Sequence, residues 1–181
     1  MQAICKTCWK TLFRPDIKTQ TVGTLDVISF YRYSTLEPLL LTKHKPEGFR
    51  IYKTLGEKLF HPFMQEFVEY DDRDIYIVGI DEDVKSGYSH VAQLTHAMKM
   101  KGVTPLYGVL RARNKVNYSG KSLEYRLKNP RDFFYRGKSD IDVILVDDIM
   151  TTGITLQEAQ KVLHIHGINI LFAITLADVD N

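Results

Sequence analysis

Short apolar strands alternate with amphipathic helices from residue 74 to the end of the 181-residue sequence. Apolar runs predict strands over 74–81, 104–112, 141–147 and 168–177. The segment 89–102 begins with a serine cap and closes on a glycine, which predicts a helix. A second helix, with a capping box at Thr155 and Glu158, is expected to end at Gly167. This alternation is typical of a single α/β domain, in which a parallel sheet carries helices on both faces.

The first 70 residues are predicted to form a smaller strand-and-helix extension of a core that comprises residues 71–181. The aromatic and β-branched run "DVISFYRYS" (26–34) predicts a strand. Ser34 and Glu37 have the spacing of a capping box, which would begin a short helix. An amphipathic helix, kinked at Pro62, is then predicted from apolar residues that recur every four positions: Ile51, Leu55, Leu59, Phe63 and Phe67.

The stretch "DVILVDDIMTTGIT" (142–155) ends a buried strand with two adjacent carboxylates, Asp147 and Asp148. In an open α/β sheet, ligands bind beyond the carboxyl ends of the strands. Small residues follow and lead to a helix N-terminus, where unpaired amides favour a phosphate. Carboxylates accept hydrogen bonds from sugar hydroxyls or hold Mg²⁺ through water. The stretch therefore predicts a cradle for ribose 5-phosphate, in which the hydroxyls of Thr151, Thr152 and Thr155 and the backbone near Gly153 would bind the phosphate.

Positive charge is concentrated between Arg111 and Lys138. Nine lysines and arginines accompany two acids in this segment, a local charge of +7 in a chain whose formal net charge is +2. An anion is therefore expected to bind here. Aromatic residues interleave with the charges, and this pattern can also stack the bases of single-stranded DNA. They are Tyr118, Tyr125, Phe133, Phe134 and Tyr135.

Both cysteines of the chain, Cys5 and Cys8, lie in "CKTC". The sequence has no long apolar span and no secretory leader after Met1, so we expect a cytoplasmic protein without membrane insertion. In a reducing compartment this spacing indicates a metal more than a disulfide. A closed Zn²⁺ site needs four ligands, so the two alternatives for these cysteines are half of a zinc site and free thiols.

The string "VILVDDIMTTGIT" resembles the signature of type I phosphoribosyltransferases, in which four hydrophobic residues and two acids precede a Thr/Gly loop. "CKTC", "LRARNK" and "LEYRLKNPRDFF" extend the resemblance to the ComF family of competence-associated phosphoribosyltransferases. Unlike that family, this chain has one cysteine pair, carries "SGYSH" (86–90) in place of "RGFNQ", and has Tyr118 where glutamine is common. The resemblance implies a phosphoribosyltransferase-like parallel sheet. It also implies use of phosphoribosyl pyrophosphate (PRPP) with Mg²⁺, transfer to a base or amine, and a link to DNA uptake and natural transformation.

The resemblance further implies which residues hold the two ends of PRPP. Met150 and Ile154 would join the threonines and Gly153 at the 5′-phosphate. Asp147 and Asp148 would fix the ribose and contribute to Mg²⁺ binding, through water or through the substrate. Arg111, at the end of a predicted strand, is the first choice for a contact to the departing pyrophosphate. Arg113 and Lys115 would follow it along the chain.

Other implied roles lie in segments that would cover the site. Asp81 occupies the position of the family's pyrophosphate loop, where it either acts through Mg²⁺ or is solvated. Arg126 and Asn129 match the family's "RxxN" and would belong to a mobile loop that closes over the substrate. A hood over the acceptor would come from the N-terminal part, including Lys43 and Lys45. We expect structural or solvated roles for His90, His96, His164 and His166.

Two other functional classes are compatible with parts of the sequence. "SGKS" (119–122) and "VILVDD" resemble a Walker A end and a Walker B strand of an NTPase, but the glycine required five residues before Gly120 is Lys115. Alternatively, the fold keeps its ribose-phosphate cradle as a non-catalytic module that binds a nucleotide or single-stranded nucleic acid during DNA uptake.

Overall fold

The computed structural model describes residues 4–11, 14–80, 84, 87–116, 118 and 120–179. Its strands are β1 Lys18–Val22, β2 Leu25–Arg32, β3 Ile75–Gly79, β4 Val103–Leu106, β5 Leu110–Ala112, β6 Phe133–Tyr135, β7 Asp142–Met150 and β8 Asn169–Asp178. Its helices are α1 Lys6–Thr11, α2 Tyr33–Leu40, α3 Pro46–Leu55, α4 His61–Val68, α5 His90–Ala97, α6 Leu123–Lys128 and α7 Ile154–Ile165. A π-helical turn, Gly56–Phe60, connects α3 to α4.

A six-stranded sheet in the order β1-β2-β8-β7-β3-β4 forms the centre of the fold. Neighbouring strands in it run parallel except β1, which pairs with β2 as an antiparallel hairpin. Parallel neighbours need crossover connections, and helices supply them. The predicted α/β class with a mostly parallel sheet flanked by helices is confirmed. Because β2 pairs with β8, the N-terminal strands extend this same sheet.

Apolar side chains cover both faces of the central sheet. On one face, residues of α2 to α5 surround Ile144 and Ile174. On the other face, α7 and the β5–β6 pair cover Val143 and Leu145. Side chains along β7 alternate between the two faces, as the period of a strand requires. The acids of this strand, Asp142, Asp147 and Asp148, lie on either side of its apolar stretch 143–146.

The predicted strand 104–112 is wrong, because this stretch forms β4 and β5, which belong to different sheets. Gly108 turns the chain between them with a φ of +64°, a left-handed conformation that glycine adopts readily. β5 then pairs antiparallel with β6, a strand in the basic segment that the apolar pattern does not predict. As a result, Arg111 lies on a two-stranded sheet beside the central one.

Two predicted helix starts are also wrong. α2 begins at Tyr33, so Ser34 lies inside the helix and does not cap it. α7 begins at Ile154 directly after Gly153, so Thr155 lies in the first turn and is not the N-cap. Both boundaries differ from the prediction by a residue or two, which is enough to change which side chain faces the orphan amides.

The helix predicted from the four-residue apolar period is observed as α3, the π turn and α4 in succession. Pro62 lacks an N–H, and its ring conflicts with the carbonyl of the preceding turn. The wider π turn directly before it relieves this conflict, so the irregularity precedes Pro62. Ser89 caps α5 as predicted, and its Oγ accepts the Ala92 amide at 3.1 Å, but the helix ends at Ala97, before the predicted end at Gly102. Among the described residues, none of the helices is both long and apolar enough to cross a bilayer.

Candidate active site

A cleft of about 770 Å³ opens at the carboxyl end of β7. Among the described residues, the lysines and arginines that line it are Lys43, Arg111, Lys115, Arg126 and Arg131. Asp147, Asp148, Thr151 and Thr155 line the same cleft. The structure therefore brings the predicted cradle and part of the basic segment together. Such a mixture of acceptors and cationic donors suits a ligand that carries both hydroxyl and anionic groups.

Both acids lie within β7, which continues to Met150 instead of ending at Asp147 as the sequence predicts. Pairing with β8 extends to the register of Met150 with Asp178, which keeps this end of the strand fixed. Asp147 and Asp148 are 7% and 4% exposed. Asp147 Oδ1 accepts the amide of Asp148 at 2.8 Å. The carboxylates thus sit in a rigid, largely buried setting at the edge of the cleft.

Three polar groups converge on Oδ2 of Asp148. Lys43 Nζ lies 3.1 Å from it, and the Tyr52 hydroxyl donates to it at 3.3 Å. His90 Nε2 is 3.2 Å away, at an angle that is poor for a hydrogen bond. The His90 ring also packs edge-on against Tyr52, with centroids 5.3 Å apart. The partners come from the α2–α3 loop, α3 and α5, and sequence spacing gives no signal for this convergence.

These neighbours keep Asp148 ionised. Burial by itself raises the pKa of this carboxyl, but His90 and Lys43 outweigh burial and hold the pKa of Asp148 well below its usual range. Burial, followed by the nearby negative charge of Asp148, raises the pKa of the Tyr52 phenol, which stays protonated and donates. The cleft therefore contains a permanent carboxylate whose charge is balanced by its own protein partners.

The loop between β7 and α7 has the geometry of an anion site. Gly153 is the N-cap of α7 with a φ of +73°, and the amides of the following turn lack partners within the helix. The positive end of the helix dipole adds to this preference for an anion. Thr151 and Thr155 line the cleft, whereas Met150 and Ile154 are buried among apolar residues. The last two can therefore offer only backbone groups to the predicted phosphate.

Replacing Gly153 with alanine is expected to lower the free energy of unfolding by about 3 kcal/mol. The residue has a positive φ, and a β-carbon there would collide with the side chain of Val22. The matched control is Gly102→Ala, which shares a positive φ of +79° but has its nearest atom, Arg73 O, 3.9 Å away. The control should lose only about 1 kcal/mol of the free energy of unfolding, which is the cost of the strained backbone. Urea unfolding of both variants checks this, and equal losses would contradict the role given to the Val22 contact.

Arg126 of α6 reaches into the predicted phosphate loop. Its Nη1 donates to Thr151 Oγ1, and to Thr152 Oγ1 at 3.5 Å. Its Nη2 and Nε donate to the carbonyls of Tyr118 and Lys121 at 3.0 and 3.2 Å. Those carbonyls hold the guanidinium in place. A fixed cation therefore faces the hydroxyls that are predicted to bind the 5′-phosphate.

Glu158 connects the basic segment to α7 instead of forming the predicted capping box. Its Oε2 accepts the amide of Arg131 at 2.9 Å, and its Oε1 lies 3.5 Å from the Tyr118 hydroxyl. That hydroxyl also donates to the carbonyl of Asn129 at 2.7 Å. Burial raises the pKa of both Glu158 and Tyr118. The Glu158 side chain therefore makes a tertiary contact, whereas the sequence predicts that it caps its own helix.

Arg111 lines the cleft, whereas Arg113 does not. The Arg111 Nε donates to the carbonyl of Gly108 at 3.1 Å, which orients its guanidinium. Arg113 pairs with Asp132 at 3.4 Å and stacks over the Phe134 ring at 5.4 Å. It belongs to a separate groove formed with β6 and α7. This geometry does not favour the substrate contact predicted for Arg113.

Two further predicted ligands are not brought into the cleft by the described structure. The Asn129 side chain donates to the carbonyl of Tyr125 at 2.8 Å and does not line the cleft. Asp81 lies outside the described residues, together with the rest of the predicted pyrophosphate loop at 82 and 83. Its role stays a prediction.

The Walker-like string does not connect a strand to a helix. β5 ends at Ala112, and α6 begins only at Leu123, after Lys121. The Lys121 ammonium lies over the Tyr125 ring, 5.2 Å from its centroid. Ser119 is outside the described residues. A phosphate-binding loop of the NTPase type follows its strand directly, so this alternative is not supported.

Most aromatic residues of the basic segment do not present an open ring face. Tyr118, Phe133 and Tyr135 are buried, whereas Tyr125 is 38% exposed and has the Lys121 ammonium over its ring. Two arginine guanidiniums cover Phe134, at 5.4 and 5.1 Å from its ring centroid. Because base stacking requires an accessible ring face, the structure does not support the predicted contact with single-stranded DNA.

The residues of "CKTC" do not complete a zinc site by themselves. The Cys8 amide donates to Cys5 Sγ at 3.2 Å and lowers the pKa of the Cys5 thiol. Both are free cysteines, and within the described ranges no group of three or more histidine, cysteine or acidic side chains is arranged so that it could hold a metal ion. A tetrahedral Zn²⁺ site would need two more ligands from outside those ranges or from a second chain.

The two acids differ in how well they fit Mg²⁺. This ion requires near-octahedral oxygen ligands at about 2.0–2.1 Å. Oδ2 of Asp148 fits poorly, because it already lies 3.1 Å from the Lys43 ammonium. Asp147 lines the same cleft and would make the predicted contact through water or substrate oxygens.

Solved structures that resemble this chain include adenine and hypoxanthine phosphoribosyltransferases. The adenine enzyme from Saccharomyces cerevisiae, complexed with an imino-altritol bisphosphate and adenine, is 18% identical at a TM-score of 0.48, over 97% of this chain and 90% of that chain. The adenine enzyme from Leishmania tarentolae is 11% identical at a TM-score of 0.42, over 92% and 85%. The hypoxanthine enzyme from Staphylococcus aureus is 16% identical at a TM-score of 0.44, over 70% of this chain and only 62% of that chain.

No protein-family model matches the sequence, and no curated protein is significantly similar to it. At the identities and TM-scores of the solved structures, overall similarity assigns neither a family nor an activity to this chain. The cleft itself is the feature from which a function can be argued.

Proposed function

We propose that this chain binds PRPP with Mg²⁺ and transfers its phosphoribosyl group to a nitrogen nucleophile. The observation that carries the proposal is one cleft that holds two carboxylates, the hydroxyls of a helix N-terminal loop, and a set of cationic side chains. PRPP presents ring hydroxyls, a 5′-phosphate and a pyrophosphate. The cleft offers carboxylate acceptors for the hydroxyls, and hydroxyl and cationic donors for the phosphate and the pyrophosphate.

The ribose phosphate would be held by the edge of β7 and the loop that follows it. Asp147 and Asp148 accept hydrogen bonds from the ribose hydroxyls, as the carboxylates that border the cleft. The amides after Gly153 and the hydroxyls of Thr151 and Thr155 bind the 5′-phosphate. The Arg126 guanidinium stands beside them and supplies a charge-assisted contact to the same group. Thr152 contributes through its backbone and through its contact with that guanidinium.

The pyrophosphate would lie toward Arg111 of β5 and Lys115, which follows it along the chain and lines the same cleft. Departure of pyrophosphate from C1′ leaves an oxocarbenium-like ribosyl group, which the nitrogen nucleophile then attacks. Fixed cations that stabilise the developing negative charge are commonly the largest contribution to such catalysis. Mg²⁺ bound to the substrate oxygens would add to that neutralisation.

The acceptor would enter from the N-terminal side of the cleft. Tyr33, Leu40, Leu41 and His44 line this side, and they belong to α2 and the loop that follows it. We assign the predicted hood to this part of the chain, in which Lys43 lines the cleft and Lys45 does not. A cover of this kind excludes water, which competes with the acceptor as a nucleophile.

The physiological setting is proposed from the ComF resemblance alone: a protein linked to DNA uptake. The alternative function is a non-catalytic module that keeps the ribose-phosphate site without turnover. The two differ in one product, because only the enzyme releases pyrophosphate from PRPP when an acceptor is supplied. Phosphorus NMR of PRPP, Mg²⁺ and a mixture of bases and amines distinguishes them.

Binding of PRPP is tested by a matched pair of arginine substitutions around β5. Arg111→Gln should weaken PRPP binding by about 10- to 100-fold, because it removes a charged donor to the pyrophosphate. Arg113→Gln removes the same charge two residues away, outside the cleft, and should leave affinity within about twofold. Isothermal titration with PRPP and Mg²⁺ measures both. Equal losses would indicate only a general charge effect, and no loss in either would place the pyrophosphate elsewhere.

A further inference from the structure

The loop that joins α2 to α3 brings Lys43 onto the acid at the end of β7. Lys43 Nζ lies 3.1 Å from Asp148 Oδ2, and the two side chains are 24% and 5% exposed. Burial of this extent reduces screening by water and salt, so the pair interacts far more strongly than a surface ion pair. The contact links residues 105 positions apart in the sequence.

Hydrogen bonds and packing contacts of the loop hold Lys43 in this position. The Tyr88 hydroxyl donates to the Lys43 carbonyl at 2.8 Å, and the Lys45 amide donates to the Thr42 carbonyl at 2.8 Å. Gly48, in the first turns of α3, packs against the same loop, where a β-carbon would collide with both Thr42 O and the Tyr88 hydroxyl. These contacts fix the turn that places the Lys43 ammonium beside Asp148.

A divalent cation on Oδ2 of Asp148 would have to displace these partners. Tyr52 and His90 contact the same Oδ2 atom at 3.3 and 3.2 Å, so its surroundings are already filled by polar groups. An ion bound there would also lie within a few ångströms of the Lys43 ammonium, where like charges repel strongly in a partly desolvated site. Mg²⁺ is a poor competitor under such conditions, because it gives up its own water reluctantly.

We propose that Lys43 is the resident counter-ion of Asp148 and that it keeps divalent cations off this carboxylate. Asp148 is then reserved for a neutral hydroxyl ligand. The statement about the sugar rests on the proposed function, whereas the statement about the ion concerns the protein alone. Lys43 is thus a positioning residue that sets the specificity of the acid it contacts.

The test titrates Mn²⁺, a paramagnetic substitute for Mg²⁺, into the protein at neutral pH without any sugar phosphate and follows the free ion by electron paramagnetic resonance. Lys43→Met keeps the length of the side chain and removes its charge. It should bind Mn²⁺ at least about tenfold more tightly than the native chain. The gain should disappear in Lys43→Met/Asp148→Asn. Lys43→Arg retains the charge, is expected to match the native chain, and provides a second variant that preserves the packing.

The matched control is Lys45→Met, which removes one charge from the same loop at an exposed position. It should change Mn²⁺ affinity by less than about twofold, since exposed charges are screened. Equal gains in the two methionine variants, or no gain in Lys43→Met, would overturn the proposal. Native Mn²⁺ binding that is lost in Asp148→Asn would overturn it as well. Because no PRPP is present, these outcomes do not depend on whether the proposed transferase activity is found.

Discussion

Asp148→Asn is expected to lower the free energy of unfolding by about 3 kcal/mol, since it leaves a largely buried cation without its counter-charge. Lys43 Nζ and the Tyr52 hydroxyl both contact the oxygen whose charge is removed. Tyr52 is fully buried and has no access to water as a replacement acceptor. Urea unfolding of the native chain and the variant at neutral pH measures the difference.

The same substitution should show a defined pH dependence. The pKa of Asp148 in the folded protein lies well below its usual range, whereas the unfolded value is about 4. The carboxylate therefore contributes its full stability above about pH 4 and loses it progressively as the pH falls below that value. The gap between the native chain and Asp148→Asn should shrink as the pH falls below that value. A gap that widens on acidification would contradict the assignment.

A double-substitution cycle separates this ion pair from the general effects of mutation. In Lys43→Met/Asp148→Asn both charges are removed, so no buried charge is left alone. The double variant should be more stable than the sum of the two single losses implies, by about 1–3 kcal/mol. Losses that add simply would show that Lys43 and Asp148 do not interact in solution.

Thr151→Val/Thr155→Val should weaken the binding of ribose 5-phosphate by about 100-fold or more. Each valine keeps the shape of threonine and removes one hydroxyl donor to the phosphate, and a hydrogen bond to a charged group contributes about 1.5–3 kcal/mol. Both side chains line the cleft. Isothermal titration with ribose 5-phosphate checks the effect without involving the pyrophosphate.

The control for this double variant is Thr104→Val, at an exposed position on β4 far along the sheet from the loop. It makes the same chemical change and should leave affinity unaltered. Undiminished binding by Thr151→Val/Thr155→Val would mean that the loop before α7 is not the phosphate site.

The sequence predicted the central part of the candidate site because that part is continuous in the chain. A strand, two acids, a small-residue loop and a helix follow one another between residues 142 and 165. Their local geometry places Asp147, Asp148, Thr151 and Thr155 at the end of a parallel strand, where ligands of such sheets bind. The order of these elements along the chain was sufficient to predict that the four side chains lie together, although β7 continues through both acids to Met150.

The partners of Asp148 could not be predicted in this way. Lys43, Tyr52 and His90 lie far from it in sequence and reach it only because α3 and α5 pack on the same face of the sheet. A histidine at a helix start and a buried tyrosine have no spacing that distinguishes them from ordinary core residues. The expectation that His90 has a structural or solvated role therefore missed its contact with the acid.

Tertiary contacts also explain the local errors. The Glu158 side chain accepts an amide from Arg131 and so is not used in a capping box. Gly108 ends a run of strand-forming residues with a positive φ that the apolar pattern does not reveal. At Glu158 a long-range contact overrides the local preference, and at Gly108 a single backbone conformation does so.

The most direct measurement is a crystal structure of the chain with ribose 5-phosphate bound. We expect the phosphate to lie between the Thr151–Thr155 loop and the Arg126 guanidinium, with a ribose hydroxyl on the Asp147 carboxylate. A phosphate seated instead in the groove beside Arg113 and β6, or a cleft that stays empty at saturating ligand, would contradict the proposed site.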